Sequence, residues 1–181
     1  MIGLVAVTLL VLIALLAPWI APVDPLQQNA DLKFLPPIWS SGGHWPYLLG
    51  TDILGRDLLS RLLFGSRLTL MVGFISVFVG AGIGVPLGLL AGFYGGLLDT
   101  LIMRLIDVML AFPSILLAVS IVAILGPSLE NAMLALGIVG IPTYARVIRA
   151  SVMAEKERDY IQADIALGQK RGAIVVRTLL P

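Results

Sequence analysis

Four long apolar stretches of this chain carry no Asp, Glu, Lys or Arg: residues 2–23, 68–98, 108–129 and 131–145. A helix needs about 20 apolar residues to cross roughly 30 Å of hydrocarbon. The first three stretches are long enough as they stand. The fourth is short, and Arg146 and Arg149 extend it if their stems carry the charged ends to the interface. The pattern therefore predicts four membrane-spanning helices. The opening run has no cationic stretch before it and exceeds a secretory leader's core of about 7–15 residues, so it reads as a first transmembrane helix over 1–23. Pro18 and Pro22 mark its far end, with Trp19 as an interfacial aromatic.

Residues 24–67 break the apolar pattern with Pro25, Pro36, Pro37, Pro46 and a Ser-Ser-Gly-Gly run. They predict an extramembrane loop ending in an amphipathic helix that feeds the second span. The rest, 68–181, reads as a transmembrane domain whose polar tail starts near Glu155. With four crossings, the long loop shares its side with Lys33, Arg56, Arg61 and Arg67 alone. The tail side carries Arg104, Arg146, Arg149, Lys156, Arg158, Lys170, Arg171 and Arg177. Lys and Arg accumulate on the cytoplasmic side, which predicts a cytoplasmic tail and an external loop.

Composition agrees with the pattern. Hydrophobic residues make up 59% of the 181 residues and charged ones 13%, against about 25% charged in a soluble domain. The fold class expected is all-α, a polytopic transmembrane helix bundle embedded in lipid. Net charge is +1, which gives no reason to expect a nucleic-acid partner. Cysteine is absent, so disulfides and thiolate metal sites are excluded.

Within the second span small residues recur at every fourth position: Ser76, Gly80, Gly84, Gly88, Gly92 and Gly96. Such a row lies on one helix face and admits another helix backbone to backbone. Pro86 is expected to bend this span, Phe112-Pro113 to kink the third and Pro142 to break the fourth. Arg104 and Asp107, three apart, are expected to form an intramembrane ion pair on one helix face.

Catalytic chemistry finds little support. No stretch matches the phosphate-cradling G-x-x-x-x-G-K-[ST] pattern, so ATP hydrolysis by that route is excluded. His44, the one histidine, lies in a loop without Cys or carboxylates at ligand spacing; a packing role is expected, with no metal site. Asp52 and Asp57 lie near Arg residues and read as turn and ion-pair groups. No nucleophile, base and orienter can be assembled. An ion-driven transporter or channel would need carboxylates deep in the membrane, and Asp107 is the one candidate. A membrane fragment without transport of its own is the other alternative.

The tail offers one more element. Asp159 as N-cap with Gln162 three residues on forms a capping-box pattern, and Gly168 suits the left-handed position after a helix end. The helix between, over 159–168, has about two turns, too few to stand alone in water. Ala163 and Ala166 leave room for a close-fitting partner. This segment resembles the cytoplasmic Glu-Ala-Ala…Gly…Leu-Pro motif of importer permeases in the ATP-binding-cassette superfamily. Ala163, Gly168, Leu180 and Pro181 match the motif, while Gln162 replaces its Glu and Asp164 its second Ala. Further stretches are similar to the dipeptide, oligopeptide and nickel branch, in its C-type subunits: APWIAPVDP at the end of the first span, LLGTDILGRDLLSRLLFGSRLTLMVG (48–73), DTLIMRLIDVMLAFP (99–113) and PTYARVIRASV (142–152).

The resemblance implies a non-catalytic permease subunit of an importer for peptides or a related solute such as nickel. It implies a multi-pass protein of a bacterial or archaeal plasma (inner) membrane. Its partners would be two ATPase subunits, a homologous second permease subunit and an external solute-binding protein. ATP and Mg would be bound by the ATPase subunits, with no cofactor in this chain. The 159–168 helix would be the coupling helix seated in an ATPase cleft, with Tyr160, Gln162, Ala163, Ala166, Gly168, Leu180 and Pro181 as the coupling residues. Six helices are implied, with the coupling loop between the fourth and fifth. The chain reaches Pro181 where the fifth would begin, so a fragment, a truncated product or an excerpt is expected, with both ends cytoplasmic.

Overall fold

The computed structural model describes residues 1–169 and 171–174; Leu180 and Pro181 lie outside the described residues. The described chain is helical: α1 (Ile2–Ile20), α2 (Leu58–Tyr94), α3 (Gly96–Leu110), α4 (Ser114–Leu125), α5 (Leu129–Lys156), α6 (Asp159–Ala166) and the single turn α7 (Arg171–Ile174), with a 3-10 turn at Ala30–Leu32. It is a polytopic membrane helix bundle. Three helices, α1, α2 and α5, are long and apolar enough to cross a membrane, and α3 with α4 supply a fourth crossing if the bent pair acts as one. The chain divides into two compact units, Met1–Val72 and Gly73–Pro181, with the boundary inside α2.

In the first unit, α1 ends at Ala21, whose extended backbone precedes Pro22. The loop that follows is ordered by its own polar groups. The Thr51 hydroxyl donates to the Leu32 carbonyl and accepts the Leu35 N–H at 2.9 Å. The Ser60 hydroxyl accepts the Val23 N–H at 3.2 Å. Asp57, fully buried, caps α2 by accepting the Ser60 N–H at 2.7 Å. Asp52 accepts the N–H groups of Leu54 (2.8 Å) and Arg56 (3.0 Å) and pairs with the Arg56 and Arg61 guanidinium groups. These are the turn and ion-pair roles their spacing suggests for Asp52, and a helix cap for Asp57. His44 meets the Tyr47 ring edge-on at 5.9 Å within the same loop. α2 begins at Leu58, so residues 58–67 are the first turns of the second span itself.

In the second unit α2 continues through Pro86 as one helix. Gly95, at φ +66°, turns the chain into α3, a left-handed conformation that costs a residue with a Cβ about 1 kcal/mol or more. The row of small residues ends there: Gly96 opens α3 instead of extending the face of α2. The third span departs from its expected 108–129. α4 has only 12 residues, about 18 Å at ~1.5 Å per residue, short of the bilayer core. α3 supplies the missing length, and the pair bends by 90° at the break. Phe112-Pro113 accounts for it: proline disfavours helix at the residue before it and suits the start of the next.

A tight turn joins α4 to α5. The Asn131 amide donates to the Leu125 and Gly126 carbonyls, both at 3.0 Å, and the Ser128 hydroxyl caps α5 through the Asn131 N–H. α5 has 28 residues and passes through Pro142 unbroken, against the expected break. Pro142 is fully buried, and packing on neighbouring helices tolerates a proline that an isolated helix would not.

Candidate functional site

The α2–α5 interface takes its geometry from the small residues. The Ser76 hydroxyl donates to the Met133 carbonyl at 3.2 Å. A methyl group added at Gly80 would lie 3.0 Å from the Gly137 carbonyl oxygen; at Gly84, 2.7 Å from that of Ile141; at Gly88, 2.5 Å from that of Ala145; at Gly92, 2.9 Å from that of Arg149. Each carbonyl belongs to the residue 57 positions beyond its partner. A constant offset over four turns means that the two helices run parallel and in register. Gly137 answers from α5, where a methyl would meet the Val79 Cβ at 2.6 Å. The backbones touch, so dispersion contacts and the Ser76 hydrogen bond hold this pair where the hydrophobic effect cannot.

Parallel α2 and α5 require the chain between them to return across the bundle once. α3 and α4 do so, running against α5: Asp99 meets Arg149, Ile106 packs with Ile141 and Ala145, and Asn131 reaches the end of α4. The broken pair supplies a fourth crossing if it acts as one span.

Two charge pairs join α3 to α5. Arg149 grips Asp99 with two nitrogens, Nη2 donating to Oδ2 at 2.6 Å and Nε to Oδ1. Arg146 Nη2 donates to Asp107 Oδ1 at 2.6 Å. The expected Arg104–Asp107 pair is therefore corrected: Asp107 is engaged across helices by Arg146. An exposed i,i+3 pair is worth only about 0.2–0.5 kcal/mol, so a guanidinium from a packed neighbour displaces it easily. Among the described residues Arg104 joins no ion pair. Sequence reasoning missed Asp99–Arg149 and Asp107–Arg146 because their members lie 50 and 39 positions apart. The available signal was two acidic and two basic residues at the ends of otherwise uncharged spans.

Beyond Lys156 the chain turns through Glu157 and Arg158 into α6. Here the expected capping box does not form. Arg158 is the N-cap, without a side-chain bond, and Asp159 is the first helical residue. The Gln162 side chain instead donates from Nε2 to the Lys156 carbonyl at 2.9 Å. At the other end Gly168 takes φ +75°. The Gly168 N–H reaches the Ile165 carbonyl at 3.0 Å and the Gln169 N–H that of Asp164 at 3.1 Å. This pair of bonds closes a helix around a left-handed residue, which glycine adopts without strain.

Ile161 is fully buried with Phe93 of α2, Val152 of α5 and Ile174. The opposite face is open: Tyr160 is 45% exposed and Leu167 80%, and Ala163 and Ala166 are exposed beside them. The Tyr160 hydroxyl donates to Glu155, and that hydrogen bond, with burial and the carboxylate's charge, raises the phenol's pKa.

These features define a polytopic helical membrane component. The chain belongs to the family described as "Binding-protein-dependent transport system inner membrane component", whose model matches residues 84–181. It is thus a multi-pass inner-membrane protein of a transport system. A second model, "N-terminal TM domain of oligopeptide transport permease C", matches residues 1–37. The chain is 48% identical to the dipeptide transport system permease protein DppC of Haemophilus influenzae over 100% of its own length and 61% of the relative's. It is 51% identical to the di/tripeptide transport system permease protein DppC of Pseudomonas aeruginosa, over 99% and 59%. Against the glutathione transport system permease protein GsiD of Pectobacterium atrosepticum the identity is 42%, over 97% and 56%. The chain thus spans about three fifths of the length of the curated relatives it matches.

Proposed function

We propose that this chain is a membrane-spanning part of a permease that imports peptides or a related solute such as nickel, driven by ATP hydrolysis in partner chains. The observation that carries the reading is α6: a two-turn helix outside the spans, anchored on one face by Ile161 and open on the other at Tyr160, Ala163 and Leu167. A short helix with an open face of small and apolar residues suits a partner's groove. Its partners would be two ATPase subunits that hold ATP and Mg, with a homologous second permease and an external solute-binding protein completing the assembly. The relatives' names supply the peptide class. The excess of Lys and Arg on the α6 side supports a cytoplasmic position for it. An ion-driven mechanism finds less support, since Asp107, its candidate carboxylate, is neutralised by Arg146.

The test is cysteine crosslinking. Residues 1–181 hold no cysteine, so single cysteines are introduced at Ala163 or Ala166 in a full-length permease freed of any other thiol. In the full-length permease they are expected to crosslink to the co-expressed ATPase subunit. No crosslink in any nucleotide state would remove the coupling role of α6.

A further inference from the structure

The turn between α5 and α6 is only two residues long, Glu157 and Arg158, and neither is glycine. A hinge needs residues free to absorb changes in φ and ψ. This turn is instead tied down from four sides. The Arg158 N–H donates to the Glu155 carbonyl at 3.0 Å, and the Arg158 carbonyl accepts the N–H groups of Ile161 (3.0 Å) and Gln162 (3.1 Å). Glu155 holds Arg158 at 3.2 Å and accepts the Tyr160 hydroxyl. Gln162 Nε2 closes over the Lys156 carbonyl. A carbonyl can only accept, so this contact needs the amide nitrogen that glutamine has and glutamate lacks.

The ties extend to α2. Lys156 Nζ donates to the Phe93 carbonyl at 2.9 Å and lies 5.8 Å from the centroid of the Phe93 ring. The carbonyls in the last turn of a helix lack intrahelical partners and carry the negative end of its dipole, so a cation is well placed there. Ile161 fills the space between Phe93 of α2 and Val152 of α5, with Leu89 and Ile148 packed around it. The α2–α5 interface continues into this cluster: Gly92 abuts Arg149 and Val152 one turn before it.

We propose that α6, the end of α5 and the end of α2 form one rigid bracket, with Ile161, Lys156 and Gln162 as its positioning residues. Motion imposed on α6 then turns the α2–α5 pair as a single body instead of flexing the α5–α6 turn. The inference rests on the coupling role proposed above and adds where the motion goes.

The experiment uses the full-length permease assembled with its partner chains in lipid nanodiscs. Spin labels are placed at Ile165→Cys, an exposed position on α6 outside the coupling residues, and at Leu90→Cys, an exposed position on α2. Their distance is read by pulsed electron resonance in each nucleotide state, and transport per ATP hydrolysed is measured in vesicles. The expected result is a narrow distribution whose centre stays fixed through the cycle. In Ile161→Ala with Lys156→Met, and separately in Gln162→Leu, it broadens, and transport per ATP falls while hydrolysis continues. Ile161→Val restores both readouts. A distance that shifts between nucleotide states in the otherwise unaltered protein overturns the bracket. So does a loss of transport in the variants with the narrow distribution retained. The Ala163 crosslink to the ATPase is scored separately, so failure of the coupling role is distinguished from failure of the bracket.

Discussion

Adding one methyl group at Gly88 tests the parallel packing of α2 on α5. The new Cβ would lie 2.5 Å from the Ala145 carbonyl oxygen and 2.9 Å from the Ile148 Cβ. Neither obstacle is the end of a flexible side chain, so the helices themselves must separate by about 1 Å to restore ordinary contact. A gap of 0.5–1 Å already forfeits about a quarter to a half of each dispersion contact, and the backbones here touch from Ser76 to Gly92. Overpacking of this kind costs about 1–3 kcal/mol. Gly82 lies on the same helix with nothing within 4 Å of an added Cβ, so Gly82→Ala should gain about 0.5–1 kcal/mol from helix propensity alone. The two substitutions are chemically identical and six residues apart, and both gain the same helix propensity, so they should differ by the overpacking cost of about 1–3 kcal/mol. The assay is reversible unfolding of the full-length permease in mixed micelles, titrated with a denaturing detergent. Gly88→Ala should unfold early and Gly82→Ala at or beyond the unmodified protein. Equal midpoints for the two would refute the register of α2 on α5.

Two further outcomes follow from the charge pairs. Asp99→Asn leaves the partly buried Arg149 guanidinium without its carboxylate. The same titration should show a loss of about 1–3 kcal/mol, larger than an exposed pair yields and smaller than a fully buried one; Arg146→Gln, whose pair with Asp107 is more than half exposed, should lose less. In the loop, burial pushes the Asp52 carboxyl up, but the N–H and guanidinium of Arg56, the Leu54 N–H and the Arg56 charge outweigh it and lower its pKa from 3.8 to about 2. A carboxylate depressed on folding stabilises the loop above the unfolded value and loses that contribution as pH falls through the folded one. Fluorescence of Trp39 and Trp45 should therefore report loosening of the loop as pH falls from 3.8 towards about 2, a transition absent from Asp52→Asn, whose loop is already looser at neutral pH.

The first, second and fourth spans were legible because lipid imposes a one-dimensional rule: a crossing segment must be apolar over about 20 residues, whatever its neighbours. The small face of α2 was legible for a related reason, since periodicity alone puts Gly80, Gly84, Gly88 and Gly92 on one side. Gly168 was legible because a left-handed helix end selects glycine locally. What those residues meet lay beyond the sequence. No local signal says that Gly84 abuts Ile141, that Arg146 takes Asp107 from Arg104, or that Pro142 stays helical while Pro113 breaks the chain. The two prolines differ in surroundings: Pro142 is fully buried inside a 28-residue helix, whereas Pro113 starts a new one. Gln162 shows the same divide. Its position in a capping-box pattern is a property of spacing, but its amide turns to the Lys156 carbonyl because the α5–α6 turn brings that acceptor within reach. Hydrophobic length and periodicity are properties of a segment and survive in the bare sequence. The choice of partner is decided by distances between segments, and only the packed helices set those.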